Sequence, residues 1–437
     1  MLQRRLFYNT VLLTCSALVM NCIGMAFQAW LVGRIGSVGI GLYQLTVSVS
    51  NLIATFAISG IRFATTRLVS EELGQSNIGG IRSAIRRCMA YALFFGMAAA
   101  VILRSLAQPL GFLWVRDART VLSLRIAAYS MPCISLCAAL SGYFTACGRV
   151  WKPTLVHLIE QIAGIFLVSV FLQQVPLGDV EKSCAAVTLG RLLADLLSLL
   201  LMLLFYWDDR VRHYGTEVGG KRITSRMLRI AMPLAVSAYA RSALSTLQHL
   251  LVPRGLRAAG YSSDGALSGY GTVHGMALPI VFFPSCLLAA AAELIVPELT
   301  EAQMRNDMRS IRRHTKLLLR MGLRFSLLTA AFLFVFSDRL GQVVYHSGDV
   351  GHYIRILAPL VPIIYIDMIV DGCLKGMGQQ MWSMGINILD ALLGLLLVIV
   401  LLPRYGLPAY LGILYLTELV NFVLSAQRLR RCLKDSA

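Results

Sequence analysis

The sequence predicts an all-α, polytopic membrane protein of about twelve transmembrane helices, arranged as two parallel-repeat six-helix lobes around a central cavity. Three observations predict it. The 437 residues are 57% apolar and only 14% charged, with a mean hydropathy of +0.69, whereas soluble domains carry about 25% charged residues. Long stretches lack any Asp, Glu, Lys or Arg. The chain also matches itself when it is displaced by half its length.

The uncharged stretches are Leu6–Gly33, Ile35–Ile61, Cys88–Leu103, Ile126–Gly148, Gln161–Gly178 and Gly265–Ala292. About 20 apolar residues cross the hydrocarbon core as a helix, so each is a span. Six further spans hold one or two charges: roughly 183–207, 228–252, 320–337, 354–374, 383–402 and 408–427. The first helix follows Arg4 and Arg5 but has too long an apolar run for a signal peptide, so it is read as a true span.

A displacement of 230 residues lays Gly39 and Gly41 on Gly269 and Gly271, Glu71 on Glu301, and Ile81-Arg82 on Ile311-Arg312. Arg125-Ile126-Ala127-Ala128 with Pro132 falls on Arg355-Ile356-Leu357-Ala358 with Pro362. Gly142, Gly148, Glu160 and Gly164 fall on Gly372, Gly378, Asp390 and Gly394. Six helices per half keep helix 7 in the orientation of helix 1, a parallel repeat about an axis along the membrane normal. The domain reading follows: an N-terminal six-helix lobe over 1–207, a basic cytoplasmic linker over 208–229, and a C-terminal lobe with a basic tail over 230–437.

The net charge of +18 would suggest nucleic acid in a soluble protein, but its placement excludes that partner. Of the 40 basic residues, 26 lie at the termini and in even-numbered loops and 9 in odd-numbered loops. Basic residues concentrate on the cytoplasmic side, so both termini are expected inside. The charge is otherwise an attraction to anionic lipid head groups. Segments 62–87 and 298–314 are expected to be amphipathic helices on the inner membrane surface, or solvated loops.

Charges inside spans cost at least about 2.5 kcal/mol each at a helix centre, so they mark function or pairing. Arg241, midway along helix 7, has no acid within a turn and is a candidate for an anionic ligand. Arg62 is a second. His274 and Gln248, with His249 beside them in the chain order of helices 7 and 8, are candidates for the same binding surface. Asp367 and Asp371, at i and i+4 after Pro359 and Pro362, suit an ion-coupling site for a proton or sodium. Arg191 and Asp195, also i and i+4, read as a structural pair. Glu160 and Asp390, repeat-equivalent, read as packing or loop anchors.

Enzyme signatures fail. Gly215 to Lys221 has the spacing of a phosphate loop, but Arg222 stands where Ser or Thr is required. No HExxH or GxSxG occurs, and the ten cysteines are scattered without metal-site spacing. The chain is therefore expected to be no enzyme, with no cofactor or metal, and a monomer.

The run Gly41-Leu42-Tyr43-Gln44-Leu45, then Ile58-Ser59-Gly60 leading into Thr66-Arg67-Leu68-Val69-Ser70-Glu71-Glu72, resembles the stage V sporulation protein B family. So do Gly271 through Pro279 and Pro284, Pro297-Glu298-Leu299, the Asp307–Arg312 segment, and Gly372 to Gly378. These are polysaccharide-type flippases of the multidrug/oligosaccharidyl-lipid/polysaccharide exporter superfamily. The resemblance implies twelve to fourteen helices in two lobes forming a V-shaped cavity, and export of large, often lipid-linked anionic substrates. Related lipid II flippases meet the substrate pyrophosphate with arginines, and Arg241 and Arg62 are the matching residue type. Ile61-Arg62 departs from the small residue or proline common in the family after Ser59-Gly60.

The expected function is a flippase that moves a polyprenyl-diphosphate saccharide for the cell envelope, reset by an ion gradient or the membrane potential. A cation-coupled multidrug exporter of the same fold is the first alternative, weakened because Leu6–Gly33 holds no acid. A non-transporting scaffold of an envelope-synthesis or sporulation complex is the second. A major-facilitator fold is disfavoured, since the helix 2–3 loop lacks its Gly-x-x-x-Asp-Arg-x-Gly pattern.

Overall fold

The computed structural model describes residues 2–75, 78–176, 178–212, 223–288 and 307–434. The described residues are helical almost throughout and contain no strand. The linker at 213–222, including the failed phosphate loop, and residues 298–306 of the second amphipathic segment lie outside them.

α1 (Leu2–Ile58) has 57 residues, about 85 Å at 1.5 Å per residue if it were straight. That is far too long for one span. Gly36 divides it, with φ 69° and ψ 178°, a conformation open to glycine but strained for other residues. Helices 1 and 2 of the sequence reading meet at this residue. A second break follows at Ser59 (φ 44°) and Gly60 (φ 71°), after which α2 (Ile61–Gly74) begins. α3 (Ile78–Pro109) runs into a π-helical turn at Leu110–Val115. α4 (Thr120–Ala128) and α5 (Ser130–Ala146) meet at a bend of 42° and together correspond to the fourth span of the sequence reading. Pro132 supplies the reason, since its ring clashes with the carbonyl four residues back, at Ala128.

α6 (Trp151–Gln173), α7 (Val180–Arg212) and α8 (Ile223–Ala258) follow. Helix 8 of the sequence reading is seen in part, as α9 (Ser263–Tyr270), a π-helical stretch Gly271–Ala277, and α10 (Leu278–Phe282). α11 (Met308–Tyr345) precedes α12 (Gly348–Leu357) and α13 (Val361–Gly376), broken between them at Pro359 and Pro362. α14 (Gln380–Lys434) is again two spans, divided at Gly406. Seven helices among the described residues are long and apolar enough to cross a membrane, and the α4–α5 pair makes an eighth. Counting α1 and α14 twice and adding α8 and helix 8 gives the twelve expected. α8 falls short of that apolar standard because Pro233, Ser237, Arg241, Ser242, Ser245, Gln248 and His249 lower the hydropathy of its middle.

The sequence repeat reappears in the backbone. Arg116 and His346, 230 positions apart, are both left-handed, with φ 56° and 51°. Gly148 and Gly378 have φ 69° and 70°. Corresponding turns therefore close with the same conformation in each half.

The helices gather into two compact units. One comprises Met1–Ser16 and Leu42–Thr246, the other Ala17–Gly41 and Leu247–Ala437. In the first unit, α2 buries Ile61, Ala64 and Leu68 on one face against Ala84, Cys88 and Ala92 of α3, Ala139 of α5, and Ile223, Met227 and Ala231 of α8. α2 is thus amphipathic, as segment 62–87 suggested. Its apolar face is covered by protein, however, where the surface-helix expectation placed lipid. Spacing alone identifies an apolar stripe but not what covers it. In the second unit, Tyr365 of α13 is fully buried and donates to the Val281 carbonyl of α10 at 2.7 Å.

Candidate functional site

In the first unit, α8 runs antiparallel along the second part of α1. Thr246 donates to the Ser48 carbonyl at 3.1 Å, Thr55 donates to Ser242 at 3.3 Å, and Tyr239 donates to Ser59 Oγ at 2.6 Å. This ladder places Arg241 near the level of Thr55. Arg62 follows the break at Ser59-Gly60, about two helical turns further on. Both arginines are exposed, and neither guanidinium has a hydrogen-bond or ion-pair partner among the described residues. The sequence marked these two as candidates for an anion, and the structure sets them on neighbouring helices of one unit.

The break at Ser59 is locked by hydroxyls. Tyr239 and Tyr91 (2.9 Å) both meet Ser59 Oγ, and Tyr91 also reaches the Ser59 carbonyl at 3.3 Å. Left-handed backbone at a non-glycine residue costs about 1–2 kcal/mol, and two hydrogen bonds of about 1 kcal/mol each offset it. A side chain at Gly60 would lie 2.6 Å from the Ala231 carbonyl, so α8 sits directly against the break. Sequence reasoning found Ser59-Gly60 only as a family motif. Tyr91 and Tyr239 carried no signal.

Beyond the apolar stretch, Arg226 near the start of α8 pairs with Glu71, and with Glu72 at 3.0 Å, both on α2. Arg226 holds the Glu71 carboxyl below the usual glutamate range, and Arg67 adds to the effect.

In the second unit, Asp367 on α13 accepts from Asn421 Nδ2 at 3.2 Å through Oδ2, while its buried Oδ1 has no hydrogen-bond partner among the described residues. Asp390 on α14 likewise keeps a buried Oδ1 without a partner. Glu418, also on α14, lies in the field of both acids. No Lys or Arg pairs with these three among the described residues. Asp371, the other half of the expected carboxylate pair, is engaged differently: Lys375 sits 2.5 Å away and Ser383 donates to it. The described residues contain no group of three or more His, Cys, Asp or Glu placed to hold a metal ion. Glu418 was missed because it is a lone charge in helix 12. Its neighbours, Asp367 and Asp390, come from other spans.

His274 stacks on Tyr270 (5.1 Å between ring centres, 11° between planes), and its ring lies 4.5 Å from that of His249. Tyr270 and His249 Nδ1 share a 3.2 Å hydrogen bond. The Gln248 amide packs on the backbone of Gly394, where a side chain would come within 2.7 Å. These polar groups of helices 7 and 8 are therefore engaged with one another or with α14.

Back in the first unit, Arg191 lies in the field of Tyr43, Asp195 and Glu160, while Asp195 is hydrogen-bonded by Ser130. Arg191 and Asp195 interact through the field, without a direct ion pair. Glu160 meets His157 at 3.6 Å.

A family model described as MatE matches residues 13–170 and 256–400. Stage V sporulation protein B of Bacillus subtilis (strain 168) is 21% identical over 414 residues, spanning 93% of this chain and 80% of that protein. An inward-facing multidrug resistance MATE family transporter of the MOP superfamily shares the fold with a TM-score of 0.74. It is 15% identical, and the match spans 95% of this chain and 96% of that one. An outward-facing one gives 0.66, also at 15% identity, over 98% and 96%.

Proposed function

The chain belongs to the MatE family, and from that premise we propose that it is an alternating-access transporter that carries a polyprenyl-diphosphate saccharide between leaflets of the plasma membrane. One observation carries the choice of an anionic cargo. Arg241 is exposed in the middle of a helix expected to span the membrane, and no acid pairs with it among the described residues. A guanidinium at that depth costs several kcal/mol unless it meets a counter-charge, and its planar fork matches phosphate oxygens. Arg62 supplies a second such group. The similarity to stage V sporulation protein B over most of the chain supports the same reading.

Asp367 is the residue proposed to couple transport to an ion, since its Oδ1 is buried without a hydrogen-bond partner among the described residues, Asn421 and Ser425 serve its carboxyl, and Asp371, Asp390 and Glu418 share its field. Asp371, tied to Lys375 and Ser383, is proposed to hold the helix end. Both termini are placed in the cytoplasm on the strength of the basic loops.

A cation-coupled multidrug exporter is the second reading, favoured by the two multidrug transporters whose fold the chain shares and by the same cluster of acids. Reconstituted vesicles separate the two. The proposal expects movement of a fluorescent short-chain polyprenyl-diphosphate sugar across the bilayer, read by its loss to a membrane-impermeant quencher. Uptake of cationic dyes without movement of that lipid would establish the second reading in its place.

A further inference from the structure

The geometry points to a binding site for one anionic phospholipid on the second unit, between the two ends of α14. There Met381, Trp382 and Leu389 from the first turns face Leu424, Arg428 and Arg431 from the last, around a cavity of about 610 Å³. Its two chemistries are separated. Met381 (79% exposed), Trp382 (54%) and Leu389 (50%) present apolar surface outward, as expected where acyl chains cover the protein. Arg428 and Arg431 supply two guanidiniums to the same cavity.

Arg428 is held ready for a ligand. Its guanidinium lies 4.5 Å from the centre of the Trp382 ring, and its Nε and Nη2 both donate to Gln379 Oε1, at 3.2 and 2.6 Å. Nη1 has no partner among the described residues, and neither does the exposed Arg431. Tryptophan and arginine together at a helix end are the pattern of the membrane interface, where an indole sits at head-group level. Basic pockets between spans at that level take lipid phosphates. An apolar wall beside paired guanidiniums fits a molecule with a phosphate at one end and acyl chains at the other. None of these residues belongs to the candidate transport sites.

The test keeps Trp382 as the sole tryptophan by replacing Trp30, Trp114, Trp151 and Trp207 with Phe. The full chain is reconstituted in phosphatidylcholine, and chain-brominated phosphatidylglycerol is titrated in, with brominated phosphatidylcholine as the reference. Two guanidiniums should enrich phosphatidylglycerol beside Trp382 on the order of thirtyfold, and Arg431→Gln should lower that about fivefold. About 1 M salt should also weaken it. Equal quenching by the two lipids overturns the assignment, as does a preference untouched by Arg431→Gln and Arg428→Gln. Should the tryptophan-depleted chain fail to fold, the unsubstituted protein and its Arg431→Gln variant are compared by native mass spectrometry. Retained phosphatidylglycerol must then exceed phosphatidylcholine and fall in the variant, and equal retention overturns the site.

Discussion

Gly41 and Gly271, repeat-equivalent and 230 residues apart in the chain, pack against each other inside the second unit. A side chain on Gly271 would lie 2.3 Å from the Ser37 carbonyl and 2.8 Å from Gly41 N. One on Gly41 would lie 2.2 Å from the Leu267 carbonyl. Ser37 and Leu267 are themselves 230 positions apart, so the crossing is symmetric under the repeat. Ser37 and Ser268 add a 2.7 Å hydrogen bond beside it.

Gly271→Ala should therefore destabilise the protein by about 1–3 kcal/mol, because the obstacle is backbone, which cannot rotate away. Gly412→Ala, where nothing lies within 4 Å of the added carbon, should be neutral or stabilising by about 0.5 kcal/mol. Thermal unfolding in detergent separates them. Equal melting temperatures for the two variants would show that the crossing yields.

The hydroxyl lock at Ser59 predicts a coupled pair. Tyr239→Phe and Tyr91→Phe should each cost about 1 kcal/mol, and the double variant should depart from additivity because both act on one Ser59 hydroxyl. Tyr405→Phe, at an exposed ring, is the control with no expected change. Additive losses would mean that the two tyrosines act apart.

Acid should weaken the link between α2 and α8. Because Arg226 holds the Glu71 carboxyl below its ordinary value, the folded state binds its proton less readily than the unfolded chain. The pair's contribution is thus fully present above about pH 4.3 and is lost as pH falls through the depressed value. Unfolding temperatures of the native chain and Glu71→Gln should differ by a constant amount between pH 8 and about pH 5.5, then converge below the ordinary glutamate range. A gap that widens in acid would contradict the pairing.

Asp367→Asn should uncouple transport while leaving the fold intact, since the amide preserves shape and the Asn421 contact can re-form with its flip. The expected result is movement of cargo that no longer responds to an imposed proton or sodium gradient. A variant with an unchanged gradient response would remove Asp367 from that role and direct attention to Glu418.

Much of this architecture was legible along the chain. Apolar run length placed the spans, and Gly39, Gly41, Arg125 and Pro132 with their counterparts exposed the repeat, because glycines, prolines and charges seldom coincide by chance in apolar sequence. The repeat could not reveal that Gly41 lies on Gly271, since self-similarity shows equivalence and never contact. The isolation of Arg241 was visible from the lack of an acid within a turn. Of the acids around Asp367, Asp371 was legible from its i+4 spacing, but Asp390 and Glu418 were not, because they reach it from spans that sequence spacing does not relate. Segment 62–87 read as an amphipathic helix or a solvated loop, but the cover that α3, α5 and α8 give to Ala64 and Leu68 arises only in three dimensions.

The central claim is that an anionic lipid-linked cargo is met by Arg241. Its most direct test is the initial rate of leaflet exchange of a fluorescent polyprenyl-diphosphate sugar in vesicles holding the native chain or Arg241→Gln. Loss of one phosphate-binding guanidinium should slow exchange at limiting substrate by about tenfold or more, from about 1.5–3 kcal/mol for a charge-assisted hydrogen bond, with Arg241→Lys recovering part of the rate. An Arg241→Gln protein that exchanges the lipid at the native rate would contradict the account.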